Sequence, residues 1–253
     1  MTEEITTAIS NRQSAIRNRY DHARHEPMRR ALRWALTNIG WRVLARIDYA
    51  RLTGLENLPA TGPAILMINH IAFIDPIVVL GNIPRNLVPL AKAEVYRVPL
   101  WGVFPWLWDV IPVHREELDR KALERALAVL AAGEVILIAP EAHRHPALGQ
   151  ARQGIAYLGY KSGAPILPVA IENTPGYPTL VGPWNRAQPG AYFTMGKPLR
   201  FKPAPGRLPR ERLRLMTDEV MYQLAALLPE HRRGYYADLS RATTETIEVA
   251  DGG

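Results

Sequence analysis

Four residues lie between His70 and Asp75 in the stretch Asn-His-Ile-Ala-Phe-Ile-Asp-Pro, residues 69–76. An imidazole placed beside an alcohol is a general base near neutral pH. A carboxylate on its other nitrogen fixes the tautomer and stabilises the imidazolium that forms. The pair is thus a two-residue base unit that needs no serine. A second reading of the same residues is structural, because Asp followed by Pro is also the pattern of an N-cap and a first helical position. A chain of this composition yields about 0.2 His-x4-Asp pairs by accident, so the pair needs support from elsewhere in the chain.

The elements on either side can position it. Ala64 to Ile68 is an apolar run of strand length, and a further apolar run opens at Asp75-Pro76 as a helix. Two other polar clusters also follow strand-like runs: His114-Arg115 after Val110 to Val113, and Glu141 to His145 after Val135 to Ala139. Additional strands are expected near 49–54, 87–91, 166–171 and 192–195. Residues 116–132 read as a surface helix with Leu123, Ala126, Leu127 and Leu130 on one face, and further helices are expected over 153–162 and 209–228. Strands alternating with helices, several of them continuous apolar runs, predict an α/β fold: a mostly parallel central sheet flanked by helices. In such sheets ligands bind at the carboxyl ends of the strands, where all three polar clusters fall.

The chain has 253 residues, 47% hydrophobic and 22% charged, enough for one sizeable core. It has no cysteine, which excludes disulfides and thiolate chemistry. A net charge of +7 favours an acidic partner, which could be nucleic acid, an anionic membrane face or a phosphorylated substrate. No nucleic-acid-binding motif is present, so that class is set aside. No apolar run reaches the length of a membrane span, and the polar start without a signal-peptide core makes the cytoplasm the default expectation. Between Met28 and Arg51 six arginines face one aspartate, while Leu32, Leu36, Ile39, Val43 and Ile47 form a stripe with Trp34 and Trp41 beside it. This N-terminal basic amphipathic helical extension has the composition of a membrane-interface segment, or else packs on the domain through the same stripe. The expected organisation is a helical segment over 1–48, a main domain over 49–230, and a tail over 231–253 that frays after Asp238.

With these residues in place, the chain resembles the glycerolipid acyltransferase family over roughly residues 50–200, in four blocks taken in order. Asn-His-x4-Asp stands as Asn69-His70 to Asp75, followed by Lys92-Ala-Glu94. The block that leads from a glycine to an arginine stands as Asp109 to Arg115, with Asp109 in the glycine's place. Pro-Glu-Gly-Thr-Arg-Ser stands as Pro140-Glu141-Ala142-His143-Arg144-His145, and the proline-bearing strand as Pro165 to Val169. The resemblance implies that His70, oriented by Asp75, deprotonates a glycerol hydroxyl. That hydroxyl attacks the thioester of acyl-CoA or acyl-carrier protein, with neither a covalent enzyme intermediate nor a metal or other cofactor. It implies a phosphate-bearing glycerolipid acceptor, foremost 1-acylglycerol-3-phosphate giving phosphatidate, with another lysolipid or polar acceptor as the alternative. It places Asn69, Arg115, Glu141, Ala142, His143, Arg144 and Pro168 at the substrates. Arg115 and the 141–144 loop would hold the phosphate, Glu141 would orient arginines or loop amides, and Pro168 would shape the pocket rim. The protein would work as a peripheral enzyme on the cytoplasmic face of an anionic membrane, with Val98 to Trp108 as core or as an apolar wall for the acyl chain. Ala142 and His143 depart from the family's Gly-Thr, and a Cβ at 142 is expected to exclude backbone shapes reserved for glycine. Two other classes compete. Glu141-x-His143-x-His145 on an extended segment could bind zinc with His70 or His114 in a metal-dependent hydrolase, and the arginine-rich helix could serve a non-catalytic lipid-binding module.

Overall fold

The computed structural model describes residues 26–35, 50–97, 103–114, 119–174, 191–206 and 208–250. Arg115, Trp41, the stripe from Leu36 onward and residues 98–102 lie outside them.

Strand β2 (Ala64–Ile68) is the centre of the sheet, and all five of its residues are buried. Such a strand must be apolar on both faces, which is why it reads as an uninterrupted run rather than an alternating one. Strands β1 (Ala50–Thr53), β3 (Leu87–Lys92), β4 (Ile111–Val113), β5 (Val135–Ile138), β6 (Ile166–Glu172) and β7 (Ala191–Met195) complete the order β1-β7-β6-β2-β5-β3-β4. The pairs β2/β5, β2/β6, β3/β5, β3/β4 and β1/β7 are parallel, while β6/β7 is antiparallel. The fold is therefore the expected mostly parallel α/β sheet.

Helix α1 (Glu26–Ala35) precedes the sheet. Helices α2 (Asp75–Asn82), α3 (Val103–Leu107), α4 (Arg120–Ala131), α5 (Gly154–Ser162) and α6 (Arg210–Ala226) follow in chain order. One core cluster joins Ile65, Met67 and Ile136 to side chains of α4, α5 and α6. The other joins Leu66, Ile68, Leu137 and Val169 to Val78 and Val79 of α2. The path from β2 through α2 runs to β3 on one side, whereas the path from β5 through α5 returns across β2 to β6 on the other. Both connections leave from the carboxyl ends of β2 and β5, the edge at which an open α/β sheet binds ligands.

Two expectations fail here. The tail does not fray: β8 (Leu199–Phe201) pairs with β6 and with β9 (Ile247–Val249), and Tyr236, Thr246 and Ile247 are buried. The cause is a buried carboxylate, Glu219 of α6, which accepts hydrogen bonds from Thr243, Glu245 and Thr246. Nor does the alternative reading of the N-terminal helix, packing through its apolar stripe, hold for Leu32, the one stripe residue described. Arg29 and Arg33 point inward, while Met28, Leu32 and Trp34 are exposed. The arginines are held by partners distant in sequence: Arg29 pairs with Asp109 at 2.7 Å, Arg33 donates to the Leu107 carbonyl and Arg30 pairs with Glu134.

Candidate active site

The loop from Asn69 to Ile74 joins β2 to α2 and closes on a single oxygen. Asp75 Oδ2 accepts from the amides of Ile71 and Ala72 at 2.7 and 2.8 Å and faces His70 Nδ1 at 2.9 Å. Asp75 is wholly buried and is the first residue of α2, not its N-cap, which is Ile74. The carboxylate therefore shapes the loop and orients the imidazole at once. With Nδ1 donating to Asp75, the other nitrogen, Nε2, carries the lone pair that can take a proton. His70 is partly open to solvent, with its side chain 16% exposed against 0% for Asp75. A base has to meet its substrate, while the residue that orients it gains from burial.

Asn69 faces the other way. Its side chain donates to the carbonyl of Ile171 at 2.9 Å and accepts from the same residue's amide at 2.7 Å, so one amide stitches the end of β2 to β6. It was expected at the substrates, but its side chain is committed to the sheet and its contribution is to hold His70 in place. Pro168 is likewise buried in mid-strand opposite Met67, not at a pocket rim, and its carbonyl accepts from Gly196.

From the end of β5 the chain turns at Pro140-Glu141-Ala142. The Ala142 amide donates to the Ala139 carbonyl, and Ala142 takes φ 61°. The expectation that a Cβ here excludes the glycine shape is overturned: alanine adopts the left-handed backbone, at a cost of about 1 kcal/mol. Asp109, the other residue standing in a glycine's place, does the same at φ 49°. Its carboxylate then reaches Arg29, so at this position the substitution adds an ion pair.

The turn separates the side chains that the zinc reading needed on one side. Glu141 is buried, whereas His143, Arg144 and His145 are exposed. Among the described residues no three His, Cys, Asp or Glu side chains form a metal-binding group. The loop docks on the base instead, with the His145 amide donating to the His70 carbonyl at 3.0 Å. The Lys92–Glu94 pair is an exposed ion pair at 2.9 Å.

Glu141 Oε2 accepts from the Gly149 amide at 2.6 Å. Burial raises its pKa from 4.5 to about 7, opposed by hydrogen bonds from the backbone of Gly149 and of His70. Because the folded-state value lies above the unfolded one, this group's favourable share of stability is fully present below about pH 4.5 and is lost as pH rises through about 7. Glu141→Gln keeps an acceptor for Gly149 and does not titrate. Wild type should therefore lose about 2–3 kcal/mol relative to this variant between pH 4.5 and 8. Parallel urea midpoints across that range would show that the carboxylate is not perturbed.

Residues 50–172 match the model of the acyltransferase family. They form a domain of that family. A 1-acyl-sn-glycerol-3-phosphate acyltransferase of Borreliella burgdorferi is 34% identical over 128 residues, covering 49% of this chain and 51% of the relative. The chain thus aligns with about half the length of that relative. The structure of the Thermotoga maritima 1-acyl-sn-glycerophosphate (LPA) acyltransferase, PlsC, superposes with a TM-score of 0.57 at 22% identity, over 95% of this chain and 93% of that one, and shares the fold. The resemblance read from the four blocks is thus matched by the family model over residues 50–172. The acyltransferase domain comprises the base pair, the Glu141–His145 loop and Asn69 with its Ile171 partner, and ends where β6 ends. Gly149 escaped the sequence reading because its contribution is an amide, and only the preceding buried glutamate hinted that one was required.

Proposed function

We propose that the protein is an O-acyltransferase moving a fatty acyl group from acyl-CoA or acyl-carrier protein to a hydroxyl of a phosphate-bearing glycerolipid, foremost 1-acylglycerol-3-phosphate, giving phosphatidate. The observation that carries this reading is the His70–Asp75 contact at 2.9 Å, set just past the carboxyl end of β2 and joined to an exposed loop that carries Arg144. His70 Nε2 removes the proton of the acceptor hydroxyl as its oxygen attacks the thioester carbonyl. The tetrahedral intermediate expels the thiolate, which takes that proton back from the imidazolium. Everything else the reaction needs is proximity of two substrates, so neither a metal nor another cofactor enters this scheme. A guanidinium matches a phosphate through paired N–H donors, and Arg144 is the first candidate to supply one, with Arg115 as the other.

The deciding assay is transfer from a labelled acyl-CoA, and in parallel from acyl-carrier protein, to acceptors with and without phosphate. Arg144→Ala should raise KM for phosphate-bearing acceptors about tenfold or more while leaving the donor KM unchanged. Equal rates on phosphate-free acceptors would overturn the assignment of the acceptor.

The membrane part of the proposal, a peripheral site on the cytoplasmic face of an anionic bilayer, rests on α1. All three of its arginines are engaged within the protein, whereas Met28, Leu32 and Trp34 face out, with Trp34 67% exposed. Apolar insertion should therefore outweigh charge attraction here. Trp34→Ala should weaken binding to anionic vesicles about tenfold, and binding unaffected by the substitution would refute the role.

A further inference from the structure

The loop after the acceptor motif, residues 146–151, belongs to no strand or helix, yet its backbone is paired at both ends and at Leu148. The Pro146 carbonyl accepts from Arg232 Nη1 at 2.7 Å. Leu148 donates to the Arg232 carbonyl and accepts from the Tyr235 amide, both at 2.8 Å. The Ala151 amide donates to Tyr236 Oη at 3.2 Å, and the Ala151 carbonyl accepts from Arg214 at 2.7 Å. Only Gly149 turns inward, to Glu141. Leu148 and Ala151 are buried, and a loop with no ladder of its own takes its shape from whatever satisfies the amides and carbonyls it buries. Here those partners are the segment 229–237 and Arg214 of α6, far along the chain and beyond the family domain.

The contact is close. Gly234 sits at φ 48°, and a Cβ there would come within 2.2 Å of the Leu148 carbonyl oxygen, so no other residue fits without pushing the two segments apart. Tyr236 anchors the arrangement. It is fully buried, packs edge-on against Tyr222, and donates to Asp218 at 2.9 Å while Arg214 holds the same carboxylate at 2.8 Å. Two bonds link the clasped loop to the chemistry: Gly149 to Glu141, and the His145 amide to the carbonyl of His70, itself the base.

We propose that segment 229–237 is a positioning element of the active site, with Tyr236 its key residue: by clasping residues 146–151 it sets where the Glu141–His145 loop stands relative to His70. The clasp acts on acceptor binding through that loop, and to this extent it rests on the acyltransferase reading.

Tyr236→Phe keeps the ring and its packing and removes the hydroxyl that joins Ala151 to Asp218. The control is Glu219→Gln, which weakens the hold on residues 243–246 at the far end of the tail without touching the loop. Two measurements are made on the full-length protein. Amide hydrogen exchange should accelerate about tenfold at His145, Leu148 and Gly149 in Tyr236→Phe and stay at the wild-type rate there in Glu219→Gln. In the transfer assay Tyr236→Phe should raise KM for a lysophosphatidate acceptor about fivefold or more, with the donor KM unchanged and Glu219→Gln matching wild type. Gly234→Ala should repeat the pattern more strongly. If exchange at 145–149 does not respond to Tyr236→Phe, or responds equally to Glu219→Gln, the clasp is not what shapes the loop. If exchange responds but both substrates' KM values rise together, the segment supports the fold and does not position the site. A wild type inactive on every acceptor would sink the acyltransferase reading, while the exchange result would still decide the clasp.

Discussion

Replacing His70 with alanine should lower kcat for acyl transfer by about 10²- to 10⁴-fold, the range that a positioned general base supplies. The acceptor hydroxyl would otherwise have to lose its proton to water while attacking the thioester. The side chain is partly exposed, and without it Asp75 Oδ2 still accepts the Ile71 and Ala72 amides, so far-UV circular dichroism and the donor KM should stay at wild-type values. Asp75→Asn should act differently. The carboxylate oxygen that faces Nδ1 also accepts two loop amides, so the variant loses both the charge that stabilises the imidazolium and part of the loop's closure. A loss of about 10²-fold in kcat is expected, with some loss of stability. Full activity in His70→Ala would rule out the base role and return the stretch to its structural reading, a buried aspartate that folds a loop.

The second large effect is on stability and lies outside the family domain. Glu219→Ala should destabilise the protein by about 3 kcal/mol or more, read as a drop in the urea midpoint. Glu219 is 1% exposed, and its two oxygens accept from Thr243 Oγ1 and the Glu245 amide at 2.6 Å, from the Thr246 amide at 2.9 Å, and from the Thr246 hydroxyl. Burial by itself would raise its pKa, yet the hydrogen bonds from Thr243, Thr246 and Glu245 outweigh it and hold the value below that of an ordinary glutamate. The stabilisation is consequently present above the unfolded-state pKa and is lost as pH falls through the lowered folded-state value. Wild type and Glu219→Ala should therefore converge in acid. A midpoint within experimental error of wild type at neutral pH would mean that β9 holds through its ladder alone.

The two carboxylates contrast usefully. Glu141 and Glu219 are both buried, but the first faces two backbone donors, Gly149 and His70, and is raised to about 7, while the second accepts four donors and is lowered. Burial alone does not decide a carboxylate's state; the number of donors facing it does. A glutamate that titrates near neutrality beside the acceptor loop is the more consequential for activity, and one held ionised by four donors the more consequential for the fold.

Much of this was legible in the chain because it is local or periodic. Strands β2, β5 and β6 are buried on both faces and so stand out as continuous apolar runs between turn residues. The base pair was legible for a related reason: a loop spanning His70 to Asp75 can fold back on itself with no help from distant residues. What tertiary structure alone decided depends on partners far apart in sequence. The hydrophobic pattern of α1 marks a stripe but not which side faces the protein, and the answer lies with Asp109, Leu107 and Glu134, which draw the arginines inward. Strand β9 has three residues with only Ile247 buried, too short for a period to show, so the ordering of the tail awaited Glu219. At Ala142 and Asp109 the one mark of a left-handed backbone is the glycine each replaces in the family pattern, and whether alanine or aspartate would accept that shape was left to the turn and to the Arg29 ion pair. Periodicity and short-range geometry are properties of a segment, whereas the pairing of a buried charge or an unladdered amide is a property of whatever the rest of the fold brings to it.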